Sequence, residues 1–187
     1  MLREKIRSIV YRMNGWMTVL LRSIHKGFCC QTSLNTMIAP SAELSVAKSA
    51  NVIVGKSFAM LKGAALVCRS GATVNIGNNV TFGMRNYINV HEKVSIGDNV
   101  NFAPDVKIYD HDHDIKNYSM DSLEWRNHYV TAPVIIGSNV WIGANVVILR
   151  GTVIGDNCVI GAGAVLKGEY PSNSIIIQKR TEITRAF

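Results

Sequence analysis

Between Leu2 and Ile24 the apolar residues fall three and four apart: Leu2, Ile6, Ile9, Met13, Trp16, Met17, Leu20 and Ile24. That spacing predicts an amphipathic helix over residues 2–25 with one apolar stripe. Arg3, Arg7, Arg22 and Lys26 lie off the stripe. From Met37 onward the pattern changes to short β-like runs. Ile136, Ile142, Ile148, Ile154, Ile160 and Leu166 recur every six residues. A six-residue period nested in an 18-residue one predicts a coil with three short sides, stacked on itself as a prism.

A pentapeptide marks the coils. It begins at Ile76, Ile96, Ile136 and Ile154, with starts 20, 40 and 18 residues apart. The 40-residue step holds one coil and an excursion, which the hexads through Ile96, Phe102 and Ile108 place between about Asp110 and Ala132. Ile38-Ala39-Pro40-Ser41 and Val52-Ile53-Val54-Gly55 read as looser early coils. The Gly-Asn-Asn and Gly-Asp-Asn triplets are corner chemistry, since Gly and Asn tolerate left-handed backbone angles. The aliphatic residue of each hexad points inward, and Ala144, Ala162 and Ala164 suit a narrow interior. The expected organisation is a helix and linker over 1–36, a mainly β prism over 37–173 and a tail over 174–187.

The 187 residues suit one domain, and 48% apolar content is enough for a core. A net charge of +7 favours polyanionic partners: a nucleotide-bearing cofactor, an acidic glycan, anionic lipid or nucleic acid. No nucleic-acid-binding motif accompanies that charge, so nucleic acid is not expected. Cys29, Cys30, Cys68 and Cys158 have neither CxxC nor zinc spacing, and Cys158 sits at an apolar hexad position. No convincing secretory signal or membrane-spanning run is found, so a cytoplasmic location is expected. The helix over 2–25 is expected to pack on the domain or on a neighbouring subunit. The alternative is an in-plane membrane helix, its cations meeting anionic lipid and Trp16 at the interface.

The excursion carries three of the five histidines, His111, His113 and His128. Long loops on regular scaffolds are commonly functional. A histidine suits removal of a hydroxyl proton because it titrates near neutral pH. Asp110, Asp112 or Asp114 could orient and stabilise the imidazole. An HxH pair among aspartates is also a metal-site pattern, or a solvated turn.

The run VIIGSNVWIGANVVILRGTVIGDNCVIGAGAVL, residues 134–166, with the HDHD segment before it, resembles the hexapeptide-repeat acyltransferases. Within them it is similar to the sugar O-acetyltransferases that modify maltose, galactosides and capsular or O-antigen glycans. The likeness is good over 74–173 and loose over 37–73. It implies a left-handed parallel β-helix, a homotrimer with active sites between adjacent prisms, and acetyl-CoA as co-substrate with no metal. The metal-dependent carbonic anhydrases on the same prism need a three-histidine pattern that this chain does not show.

The resemblance also implies site residues. Setting Ile108 on the last strand position puts the catalytic base at His113, and a two-residue slip would put it at His111. Asn86 and Asp112 are the candidate acceptor contacts, although corners favour asparagine in any case. Trp141, Gly143, Ala144, Gly161 and Ala162 would line the pantetheine arm, each being also a sound repeat residue. Lys167, Arg180 and Arg185 are candidate phosphate partners; a solvated surface lysine is the other reading of Lys167. The chain departs from the family where a glycine–x–proline turn at the nucleotide end of the site is replaced by Gln178-Lys179-Arg180. The expected activity is acetyl transfer to a sugar hydroxyl in surface polysaccharide synthesis. The alternatives are acetyl transfer to serine or another small alcohol, and a non-catalytic trimeric assembly module.

Overall fold

In the computed structural model, residues 2–23, 28–30, 35–118 and 123–179 are described. The N-terminal segment forms helix α1, Leu2–Ser23. The strands that follow are two to four residues long, because each side of the prism is a fraction of one coil. Among the described residues they build three parallel sheets of seven, seven and six strands. Each strand pairs with the equivalent strand of the next coil, so Val94, Ser95 and Ile96 face Val134, Ser95's partner being Ile135, and Ile136.

The coil shortens along the stack. Equivalent corner residues bond across 22 residues at Lys56 and Asn78, 20 at Asn79 and Asn99, 18 at Asn139 and Asn157, and 16 at Asn157 and Asn173. The single 40-residue step, between Asn99 and Asn139, contains the excursion. The prism is longer than residues 37–173. Phe28–Cys30 pairs with Val52–Val54 at one end, and Ile175–Ile176 pairs with Val159–Ile160 at the other. Parts of the expected linker and tail therefore belong to the stack.

The interior is filled in register. Ile136, Ile142, Ile148, Ile154, Ile160 and Leu166 are all buried, which is what their six-residue spacing requires. In the wider coils Phe58, Phe82 and Phe102 replace aliphatics and pack edge to face, with centroids 5.2 Å apart at each step. Each such side chain contributes roughly 1.5–3 kcal/mol by leaving water. Ala164 and Cys158 are buried as expected, but Ala162 is exposed and Ala144 is only partly covered. Those two alanines lie at a corner, outside the narrow interior.

Each letter of the pentapeptide has a separate task. Cβ atoms on Gly55, Gly77, Gly97 and Gly137 would come within 2.7–2.8 Å of the following coil's backbone, so glycine is there for stacking. The next residue caps the coil below: Asp98 Oδ1 accepts the Asn78 N–H at 2.6 Å, and Asp156 Oδ1 accepts that of Ser138 at 2.6 Å. The fourth residue takes the left-handed angle, with φ of 55–58° at Asn79, Asn99, Asn139 and Asn157, and Asn173 repeats it at 62°. Their side-chain amides form a ladder with steps of 3.0–3.1 Å. The left-handed position is thus the asparagine alone, not the glycine.

Candidate active site

The excursion leaves the prism after Lys107–Tyr109 and folds into an antiparallel hairpin. His111, Asp112 and His113 pair with Thr131, Val130 and Tyr129, and the Ala132 N–H bonds back to the Asp110 carbonyl at 2.9 Å. The boundaries are those marked by the broken hexad. Glu124–Asn127 makes one 3-10 turn inside the loop.

Asp110 is wholly buried at the base of the hairpin. Its carboxylate accepts the backbone N–H groups of His91, Glu92 and Lys93 at 2.7–2.9 Å. It also lies 3.1 Å from His111 Nδ1. The same negative charge, after burial, helps push the Cys68 thiol up to about 11. Cys68 is therefore a protonated core residue.

His111 is 10% exposed and stacks on His91, with ring centroids 3.8 Å apart. His91 is driven down to about 4, by burial first and by the neighbouring His111 second. Tyr129 packs against His91, His111 and His113 at 4.3, 5.3 and 4.8 Å, and its hydroxyl donates to the Arg126 carbonyl at 3.0 Å. Together they make an aromatic wall on one side of the hairpin.

His113 meets that wall only through Tyr129 and is exposed. It lines a cleft of about 530 Å³ with Asp112, Lys116, Trp125, Val130 and Arg150. Its Nδ1 lies 3.1 Å from the Trp125 carbonyl oxygen. A carbonyl can only accept, so Nδ1 carries a hydrogen, and in the neutral imidazole the lone pair is then on Nε2. The Trp125 ring also meets the imidazole edge-on at 4.9 Å. The imidazole is thus held in one orientation and one tautomer.

The other expected site residues are distributed unevenly. Asp112 is at the cleft but paired with Arg150 at 2.6 Å. Arg150 lies 38 residues away in sequence and gives no local signal for that contact. Asn86 is wholly buried; its Nδ2 donates to the Ala103 carbonyl at 2.8 Å, and its Oδ1 has no hydrogen-bond partner among the described residues. Trp141 is exposed on its strand, one coil beyond Asn101. Gly143 is buried, and a Cβ there would sit 2.6 Å from the Ala162 nitrogen, so coil stacking by itself demands glycine. Gly161 meets a looser neighbour, Ile176 O at 3.3 Å. Lys167 is exposed. Arg180 and Arg185 lie outside the described residues. Among the described residues no cluster of three or more His, Cys, Asp or Glu is arranged to hold a metal ion.

Residues 133–168 match the model of the bacterial transferase hexapeptide, six repeats. Over those residues the chain carries the hexapeptide repeat. Its prism is the parallel β-helix of that class, consistent with the left hand that the resemblance implies. The chain is 34% identical over 113 residues to a probable acetyltransferase, Rv3034c, of Mycobacterium tuberculosis, covering 60% of this chain and 37% of the relative. It is 37% identical over 105 residues to the galactoside O-acetyltransferase of Escherichia coli, covering 53% of this chain and 50% of the relative. This hexapeptide-repeat chain thus spans half or less of those relatives' lengths. Among solved structures, AntD, an N-acyltransferase from Bacillus cereus in complex with dTDP and 3-hydroxybutyryl-CoA, superimposes with a TM-score of 0.64 at 20% identity. That match covers 84% of this chain and 81% of AntD. At that identity the likeness concerns the fold.

Proposed function

We propose that this hexapeptide-repeat protein moves an acetyl group from acetyl-CoA to a sugar hydroxyl, with His113 as general base. The observation that carries the reading is the pinned imidazole: Nδ1 is occupied by the Trp125 carbonyl, and His113 lines the cleft. His113 Nε2 takes the hydroxyl proton as the acceptor oxygen attacks the thioester carbonyl carbon. The tetrahedral intermediate collapses, the carbon–sulfur bond breaks, and the departing thiolate receives the proton from the imidazolium. The products are an acetyl ester and free CoA. The thioester is already activated, so no enzyme nucleophile is needed. His111 is less suited because it is nearly covered and stacked on His91.

The co-substrate fits the outer surface of the last regular coils. Trp141 and Val165 present apolar surface, Ala162 leaves its corner open, and Lys167 supplies an exposed cation for a phosphate. A homotrimer would set such a surface against a neighbouring prism, and exposed Ile53, Ile135 and Ile175 offer apolar area for that packing. The relative named for galactosides supports a sugar acceptor. A role in surface polysaccharide synthesis, in the cytoplasm, extends this reading. The test is CoA release from acetyl-CoA in the presence of a panel of galactosides, maltose and glycan fragments. Release that depends on one or more of these sugars is expected, and none above the acceptor-free rate would overturn the reading.

A further inference from the structure

Helix α1 is seated by the side opposite to its apolar stripe. Its contacts to the prism come from small and polar positions. Asn14 Nδ2 donates to the Ile38 carbonyl at 3.0 Å, and Ser8 Oγ approaches Met37 Sδ at 3.9 Å. Gly15 is buried so close to the chain that a Cβ would meet Ile38 N and Thr36 O at 3.1 Å. Val19, four positions on from Gly15, joins the core. The stripe faces away: Met13 is 69% exposed, Met17 58%, Ile9 56%, Ile6 51% and Trp16 51%. The expected packing on the domain is therefore real, but it uses the wrong face to hide the stripe.

The charges around the stripe are almost all positive. At 100° per residue, Arg3 and Arg7 fall on one flank and Lys5 and Arg12 on the other. All four are exposed, and the three ion pairs among the described residues involve none of them. Glu4 is the acidic residue of the helix and lies towards the prism side, at a hollow it shares with Arg7, Ser8, Tyr11 and Met37, so Arg7 borders the stripe less closely than Arg3, Lys5 and Arg12. No described helix is long and apolar enough to cross a membrane.

We propose that α1 lies in the plane of an anionic lipid bilayer, with Ile9, Met13, Trp16 and Met17 in the acyl boundary and the flanking cations at the phosphates. An exposed apolar stripe with Trp, bordered on both sides by cations, is the chemistry of an interfacial helix. A second copy of the chain fits worse, because two such helices packed stripe to stripe bring like charges together on both flanks. The prism is thereby held against the surface by a rigid seat, which would keep its cleft near a lipid-linked acceptor. This inference stands independently of the acetyl-transfer reading.

The test is flotation of the full chain with vesicles of phosphatidylcholine alone and of phosphatidylcholine mixed with phosphatidylglycerol, with the oligomeric mass measured by light scattering. The chain is expected to float with the mixed vesicles and far less with the neutral ones, and added salt should release it. Lys5→Glu with Arg12→Glu should lower partitioning on the order of 30-fold or more, since each cation is worth roughly fivefold. Met13→Glu with Trp16→Glu should abolish it with little change in the unfolding midpoint, because both side chains are more than half exposed. A wild-type chain that stays at the bottom, or binds neutral and anionic vesicles equally, overturns the proposal. So does a fall in oligomeric mass in the Met13→Glu, Trp16→Glu variant, which would make the stripe a subunit contact.

Discussion

The Asp110 carboxylate lies 3.1 Å from His111 Nδ1 and at the same time caps three consecutive backbone N–H groups, those of His91, Glu92 and Lys93. An aspartate beside a histidine suggests a catalytic pair, but this one is chiefly the anchor between one coil and the excursion that follows the next. Asp110→Asn leaves one acceptor oxygen for donors now shared between two. The amide group would face N–H groups it cannot accept from. The variant is expected to lose on the order of 2–4 kcal/mol of stability, read as a lower urea midpoint.

His91 makes stability depend on acid. Its folded-state value, about 4, lies below the ordinary 6.5 because burial and His111 both disfavour the charged form. Above pH 6.5 both folded and unfolded states hold it neutral, and its contribution is complete. As pH falls from 6.5 towards 4 the unfolded state takes up the proton first, so stability is lost across that window. The melting temperature should drop there in the wild type and drop less in His91→Phe, which keeps an aromatic ring against His111 and Tyr129. Parallel acid limbs in the two proteins would contradict the assignment.

The asparagine ladder predicts an order of substitutions. Asn139 holds φ of 58° and bonds to Asn99 and Asn157 on either side. Asn139→Gly loses only the amide bonds, whereas Asn139→Ala adds the strain of a left-handed Cβ, roughly 1–2 kcal/mol. Alanine should therefore melt below glycine at this position, the reverse of the usual ranking.

Gly143 separates stacking from cofactor contact. A methyl group there would collide with the Ala162 backbone on the following coil. Gly143→Ala is expected to lower the melting temperature by several degrees, about 1–3 kcal/mol of overpacking. KM for acetyl-CoA should stay unchanged, and any fall in apparent kcat should match the fraction of unfolded protein.

Much of this was readable in advance where contacts are periodic. The hexad from Ile136 to Leu166 marks buried positions because one side chain per side must point inward. Its break after Ile108 marks the hairpin, since a strand that leaves the stack loses its place in the count. What was not readable depends on partners far apart in sequence. Arg150 reaches Asp112 across 38 residues, and nothing near Arg150 announces it. Asn86 carries the residue type of a sugar contact, yet its backbone position turns it inward to Ala103. Phe28–Cys30 joins the first sheet through backbone pairing that needs no repeat motif. The stripe of α1 was plain in the sequence, but the side that seats the helix is a glycine and an asparagine, which no hydrophobic pattern picks out.

The central claim is that His113, held by the Trp125 carbonyl, is the base for acetyl transfer. The direct measurement is the initial rate of CoA release with an accepted sugar, for the wild type, His113→Ala and His111→Ala, each checked for an unchanged fold by circular dichroism. His113→Ala should lose about 10²–10⁴-fold in kcat, with KM for acetyl-CoA little changed, and His111→Ala should lose less. Full turnover in His113→Ala would contradict the account.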